Sequence, residues 1–555
     1  MRLRLIAVLA LAPVWCAAVP RPAEWVPMRW PWSDVQSLDL LAGTPINCLL
    51  LSTYPESFVS AASSRGLVTL AILTPSGDVV AAARRALGAK VTGLVLEGEF
   101  PEGTAAGVRE AAAGVNKAAA GVNKAAAGVN KAAAGENKAE AGLNTAPAGV
   151  NEAAAGVNTA AAGVNTAPAG VNKAAAGENK AAAGAPVIEL TARNRLLLGS
   201  NSPLGSNSPL VSNRPVVGTH QVVGTNQGVW PGISIDENGA KKSGPTASVW
   251  IDTNTGFLRS VRVSVQKEAP DTAVWIANEP PARMAVTGSR YLQAVADAAI
   301  SGARWVLALD EDFAGRLAKR DAAALGDWKR IARLLSYFEQ HPEWRGMQEA
   351  GKLALVQDPG KGGLLSGGIL DMIAVKHTPV RPIARQQLTP AALAGATMAV
   401  NVDGDALTAE QKEVLRGFTR GGGTLLTGPP GWKDPTPAGG SITLEKAELE
   451  RLNDIWHDVN SMVGRRNMGV RLFNVSSMLS NYLASEDGKS AVLHLVNYSD
   501  YPVENVTVHY LGNYRHATLL TPEGDDRKLE VFETDEGLGV DLDKVSVCAT
   551  VRLEQ

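Results

Sequence analysis

Carboxylates recur in this chain where short apolar runs stop. TAVWIAN leads into Glu279 of NEPP, RWVLALD ends on Asp310 ahead of Glu311 and Asp312, GLVLEGEF carries Glu97 and Glu99, and APVIEL carries Glu189. A carboxylate can serve as nucleophile, general acid or general base, and in parallel α/β structures such groups gather at the C-terminal ends of strands. Asp252 joins this set in WIDTNTGF, where Asn254 and two threonines stand beside Trp250 and Phe257. Hydrogen-bonding groups next to an aromatic face suit a sugar ring, which stacks its CH face while its hydroxyls bond. Trp230 in GVWPG offers a second platform of that kind. Plain structural readings stand beside these: Glu279 as an exposed carboxylate in a proline-rich loop, Asp252 as a helix cap, Glu97 and Glu99 as a solvated strand end, Trp230 as a loop anchor. Adjacent side chains alternate in direction, so of Asp310, Glu311 and Asp312 one is expected to face a site.

The elements that position these groups alternate between apolar runs and helical periodicity. Asp271 to Asp312 is the clearest unit: TAVWIAN, then RYLQAVADAAISG with Leu292, Val295, Ala296 and Ala299 at helical spacing, then RWVLALD, a parallel βαβ. Counting from Trp30, INCLLL (46–51), LVTLAIL, KVTGLVLEGEF and APVIEL are strands one to four, RPVVGT or GVWPGISID the fifth, TASVWID the sixth, TAVWIAN the seventh and RWVLALD the eighth. Eight such units predict a (β/α)8 TIM-like barrel over residues 30–345. Two low-complexity stretches interrupt it. Over 111–184 a seven-residue unit, AAAGVNK, repeats roughly ten times; with one Val or Leu per unit and a Gly each time, it cannot build a core. An imperfect repeat over 199–228, GSNSPLGSNSPLVSN and onward, looks like a second insertion. Residues 350–432 read as a small open α/β domain, 433–470 as a connecting segment, and 471–555, with period-two alternation between turn residues, as an antiparallel β-sandwich.

Composition narrows the class. The 555 residues hold 53 basic and 55 acidic side chains, a balance without a polyanion-binding signature, so nucleic acid is not an expected partner. Arg2 and Arg4 precede an apolar run and small residues near Ala18, which reads as an export signal over 1–18 and places the protein in a periplasmic or extracellular setting. No later run has the roughly 18 apolar residues of a membrane span. Cys48 and Cys548 sit in apolar runs and read as buried thiols. The 7 histidines show no HxH or HExxH spacing, so no metal site is expected, and GKGG and GGG lack the following Lys-Ser/Thr of a phosphate cradle, so no cofactor is expected.

The stretches AVWIANEPP, ISGARWVLALDED, LTAEQKEVLRGFTRGGGTLLTGPP and AVLHLVNYSDYPVENVTV, in this order, resemble the family 42 glycoside hydrolases, bacterial β-galactosidases, and related hypothetical glycosidases. The resemblance covers most of the chain outside the repeats. It implies a barrel, an amidotransferase-like or flavodoxin-like middle domain and a C-terminal β-sandwich, a carbohydrate substrate, and cleavage of glycosidic bonds by a carboxylate pair at the barrel mouth. The middle domain is similar to the trimerisation domain of those enzymes, which allows a homotrimer. It contains no cysteine, which excludes amidotransferase chemistry there. Such enzymes carry an acid/base on strand four and a nucleophile on strand seven. On the strand count above these are Glu189 and Glu279, with Asp252 as a further catalytic candidate and Trp230, Trp250, Asn254, Asn278, Glu97 and Asp310 as candidates for binding substrate. The family pattern places Asn before the strand-four acid; here Ile188 precedes Glu189, and Asn278 precedes Glu279. A barrel that has lost catalysis and binds or scaffolds carbohydrate is the alternative.

Overall fold

The structure, a computed structural model, describes residues 20–114, 185–190, 222–226, 228–235, 241–243, 253–266, 272–357, 378–401, 407–427 and 446–555. The export signal, the repeats past residue 114, and Trp250 and Asp252 lie outside the described residues. The chain forms two units, one made of Met1–Thr74, Val95–Glu99 and Ile188–Gln555, the other of Pro75–Leu94 and Phe100–Val187.

Eight parallel strands define the barrel: β1 (Pro27–Arg29), β2 (Cys48–Leu51), β3 (Val68–Leu73), β4 (Gly93–Glu97), β5 (Val187–Leu190), β6 (Val222–Thr225) and, after an antiparallel pair β7 (Ile233–Ile235) and β8 (Lys241–Ser243), β9 (Ala273–Ile276) and β10 (Arg304–Trp305). The circle closes where the Arg29 N–H donates to the Leu307 carbonyl at 2.8 Å and the Leu307 N–H to that of Pro27 at 3.3 Å. Alternation fills the interior: Cys48 and Leu50, Val68 and Leu70, Ile188 and Leu190, and Trp275 form one buried cluster. The close approach at Gly224 is forced by that packing, since a Cβ there would stand 2.3 Å from Leu190 Cδ2.

This corrects the strand count. Pro27–Arg29, three residues ending on an arginine, is the first strand, so INCLLL is the second, GLVLE the fourth and VIEL the fifth. The sixth strand, VVGT at 222–225, lies within the stretch read as an imperfect repeat. GVWPGISID supplies β7 of the small antiparallel pair rather than a barrel strand. RPVVGT and TASVWID lie outside the described residues.

Helices of the first unit pack on barrel strands. Gly288–Ala299 is buried along nearly its whole length, and Ala322–Glu339 starts on Asp321, whose carboxylate accepts the Ala324 N–H at 2.9 Å. In the second unit the helix Val79–Gly88 is capped by Asp78 onto the Ala81 N–H, and 104–114 is helical. Gly107 and Val80 bring those two helices together, a Cβ at Gly107 falling 3.2 Å from Val80 Cγ2.

Beyond the barrel, β11 (Gln348–Glu349) leads to a four-stranded parallel sheet from β12 (Leu353–Gln357), β13 (Val380–Ala384), β14 (Met398–Asn401) and β15 (Thr424–Thr427), in the order β13-β12-β14-β15. Its helix Ala409–Arg420 begins in a capping box, Thr408 accepting the Gln411 N–H and Gln411 returning to the Thr408 N–H. The helix Lys446–Val463 follows. The remaining strands are β16 (Val470–Phe473), β17 (Met478–Ala484), β18 (Ser490–Asn497), β19 (Val503–Tyr510), β20 (His516–Thr521), β21 (Gly524–Leu529), β22 (Phe532–Thr534), β23 (Gly537–Val545) and β24 (Cys548–Glu554). They form two antiparallel sheets, β11-β17-β18-β24-β20-β21 and β16-β19-β23-β22, over a shared core that includes Leu493, Val508, Leu542 and Val551. The six-stranded sheet meets the barrel through buried polar groups: Arg259 donates to the Ser480 carbonyl at 2.7 Å, and Asn481 to that of Ile300 at 2.7 Å. Burial raises the Glu349 carboxyl above its usual range there, although Arg259 and Arg262 beside it act in the opposite sense.

Candidate functional site

Strand alternation decides which carboxylates reach the barrel mouth. Val95 faces the interior, so Glu97, two residues on in β4, faces it too. On β9 the interior residues are Ala273, Trp275 and Ala277, and the same parity carries Glu279 inward just past the strand end. Glu189 lies between the inward Ile188 and Leu190, so its side chain points away from the interior, and its assignment as acid/base is corrected on that ground. With the first strand at 27–29, Glu97 ends the fourth strand and Glu279 follows the seventh.

One side chain joins them. Arg29, at the end of β1, donates through one terminal nitrogen to Glu97 Oε2 at 2.5 Å and from the same nitrogen stands 2.7 Å from Glu279 Oε1. Its other terminal nitrogen bonds Glu97 Oε1, so Glu97 is gripped by both oxygens. Two carboxylate oxygens on a single nitrogen at 2.5 and 2.7 Å lie no more than about 5.2 Å apart. The Arg29 and Glu97 side chains are 10% and 14% exposed, whereas Glu279 is 64% exposed, so the pair has one sheltered and one open member. Burial alone would pull the Arg29 guanidinium down; hydrogen bonding and charge from Glu97, with Glu279, outweigh it and raise the group above its usual range. One cation thus faces two carboxyls.

The backbone carrying Glu279 is held from behind. The Gly228 N–H donates to the Ala277 carbonyl at 2.9 Å, Asn278 Nδ2 to the Gly228 carbonyl at 2.6 Å, and the Trp230 indole N–H to the Glu279 carbonyl at 3.0 Å. Asn278 is thereby tied to backbone. Trp230 is 4% exposed, with its ring edge-on to Tyr291 at 5.4 Å and Trp305 at 5.0 Å. It serves as packing rather than as an open platform. Asn254 is fully buried and bonds both the Val229 N–H at 2.7 Å and the Val229 carbonyl at 3.0 Å. Asp310 caps the helix Glu311–Ala318 through the Phe313 N–H and accepts the Tyr291 hydroxyl at 2.7 Å. Burial, with Asp310 beside it, drives the Tyr291 hydroxyl well above its usual range. Of the residues singled out for binding substrate, then, Asn254, Asn278, Trp230 and Asp310 are engaged in holding the fold. Arg29 was missed in the sequence. Its signal was position alone: a lone arginine closing a three-residue strand between Met28 and Trp30.

Among the described residues no cluster of three or more His, Cys, Asp or Glu is arranged to hold a metal, and no helix is long and apolar enough to cross a membrane. Cys48 and Cys548 are buried free thiols, each raised by burial.

No family model and no curated protein matches this chain. Among solved structures it is similar to α-L-fucosidase isoenzyme 2 from Paenibacillus thiaminolyticus, at 10% identity and a TM-score of 0.54 over 97% of this chain and 98% of that one. It also aligns with the β-galactosidase from Rahnella sp. R3, at 10% identity and a TM-score of 0.43 over 94% and 95% of the two chains. The first of these, at its identity, supports the fold: a TIM-type barrel continued by further domains through the whole length.

Proposed function

We propose that this protein is an exported glycoside hydrolase that cleaves a β-linked glycan or oligosaccharide with Glu97 and Glu279 as its carboxylate pair. The observation that carries the reading is the shared Arg29 nitrogen, which brings two inward carboxylates from the fourth and seventh strands together at the mouth. Inverting glycosidases set their two carboxyls about 6.5 to 9.5 Å apart and retaining ones about 5 to 5.5 Å, and the two oxygens on Arg29, no more than about 5.2 Å apart, lie below the inverting spacing.

Glu279 takes the nucleophile's part. Arg29 steadies Oε1, while the exposure of the side chain leaves Oε2 open to a sugar ring above. Attack by Oε2 on the anomeric carbon breaks the glycosidic bond as Glu97 gives its proton to the departing oxygen. Glu97 then takes a proton from the water that releases the sugar. This cycle requires Glu97 to give up one of its two bonds to Arg29 when a glycosidic oxygen arrives. A Glu97 that stays gripped would leave a carbohydrate-binding protein on a barrel without turnover, and the double grip is the observation in favour of that second reading. Export through residues 1–18 and a trimer through the middle domain complete the proposal.

Hydrolysis of a panel of aryl glycosides tests it. Glu279→Gln and Glu97→Gln are each expected to lose about 10³-fold or more in kcat, with azide restoring Glu97→Gln on substrates with good leaving groups. Full activity in both variants would remove the pair from the mechanism.

A further inference from the structure

Asp297 projects from the helix Gly288–Ala299 and is fully buried, and among the described residues no cation pairs with it. Its carboxylate instead accepts five hydrogen bonds. Oδ2 takes the Asn254 N–H at 2.9 Å and Asn254 Nδ2 at 2.8 Å; Oδ1 takes Thr255 Oγ1 at 3.0 Å, Tyr498 OH at 2.5 Å and the Thr253 hydroxyl. A buried carboxylate satisfied wholly by neutral donors fixes their directions closely, because each lost bond exposes charge to a low-dielectric interior.

From Asp297 the bonds run toward the site. Asn254, aimed by Asp297, grips the peptide of Val229 on both its N–H and its carbonyl. The next residue, Trp230, donates its indole N–H to the Glu279 carbonyl, and its ring is wedged against Tyr291 and Trp305. Tyr498, just past β18, ties the other end of the chain of bonds to the β-sandwich.

We propose that Asp297, Asn254 and Trp230 are positioning residues that set the height of the Glu279 carboxylate at the barrel mouth, and that Tyr498 makes this setting depend on the docked sandwich. The inference rests on the reading of Glu279 as nucleophile. None of the four side chains touches substrate; they act on the backbone that carries Glu279, where a displacement of about 1 Å can cost on the order of 100-fold in rate.

The test compares wild type with Trp230→Phe, which keeps an aromatic ring and removes the N–H, and with Asn254→Ala. Two quantities are read: kcat and KM on whichever aryl glycoside wild type hydrolyses, and exchange of the Gly228 and Ala277 amides against those of β2 and β3. Trp230→Phe is expected to lower kcat about 10-fold with KM within twofold and Tm within about 3 °C. In both variants Gly228 and Ala277 are expected to exchange at least ~10-fold faster while β2 and β3 hold. Wild-type kcat together with unchanged exchange overturns the proposal, as does a change confined to KM. A wild type that turns over nothing would end the catalytic reading of Glu279, and amide exchange then decides alone: faster exchange upholds the positioning, unchanged exchange overturns it.

Discussion

Arg29→Met removes the cation at the mouth and keeps most of the buried stem. In the native protein the guanidinium holds Glu97 by two hydrogen bonds and Glu279 by one contact, with Arg29 and Glu97 largely sheltered. Taking one partner from a fully buried ion pair costs about 3–5 kcal/mol, because the other charge is left without compensation. Glu97 keeps 14% exposure and Glu279 has 64%, so water recovers part of that, and about 2–3 kcal/mol is the expected loss. The double variant Arg29→Met, Glu97→Gln removes the stranded charge as well. It is expected to regain about 1–2 kcal/mol over Arg29→Met, so that with the Glu97→Gln loss subtracted as well the coupling is at least that large, which only a direct interaction produces. Denaturant unfolding of wild type, both single variants and the double variant closes the cycle. Additive losses, with coupling under about 0.3 kcal/mol, would refute the bridged arrangement.

Other consequences follow from the same structure. Burial drives the His494 imidazole down to about 3 from an ordinary value near 6.5, with Arg262 and His341 adding to the effect. The unfolded chain therefore binds a proton that the folded one refuses. The resulting stability is present above about pH 6.5 and is lost as pH falls toward 3, by up to roughly 4 kcal/mol, and unfolding midpoints across that window in wild type and His494→Gln measure it. Gly224→Ala drives a methyl into Leu190 and Trp275 inside the barrel and is expected to cost about 1–3 kcal/mol by thermal melts. Asp310→Ala strips a helix cap and the partner of Tyr291; about 1–3 kcal/mol of lost stability with KM within twofold is expected, whereas a large rise in KM would return Asp310 to substrate binding.

Much of the fold was legible because its signals are periodic. The buried runs of β2, β3, β9 and β10, the capped helix at Thr408 and the alternating strands from Val470 onward each announce their structure locally. β1 was not legible. Three residues with a charged last member carry no periodicity, and their place in the sheet is fixed by pairing with Leu307, about 280 positions away. That omission moved INCLLL, LVTLAIL, GLVLE and VIEL each by one, left TAVWIAN and RWVLALD seventh and eighth, and directed the acid/base role to Glu189, while Glu97 was read as a group for substrate hydroxyls. The position of Glu279 at the strand end was legible because it follows a strong strand in a motif, NEPP, that ends it abruptly. Trp230 and Asn254 stayed open to two readings for a different reason: in sequence a Trp beside Gly and Pro, or an Asn between threonines, suits a binding surface as well as a loop anchor. Only the tertiary structure shows that Asp297 and Tyr291 have claimed them.

The most direct test of the central claim is covalent trapping. The protein is incubated with activated fluoro-sugars that leave a glycosyl group on a retaining nucleophile, and the labelled peptide is mapped by mass spectrometry. The account expects the label on Glu279, lost in Glu279→Gln and slowed in Arg29→Met. Label on another carboxylate, Asp252 above all, would contradict it.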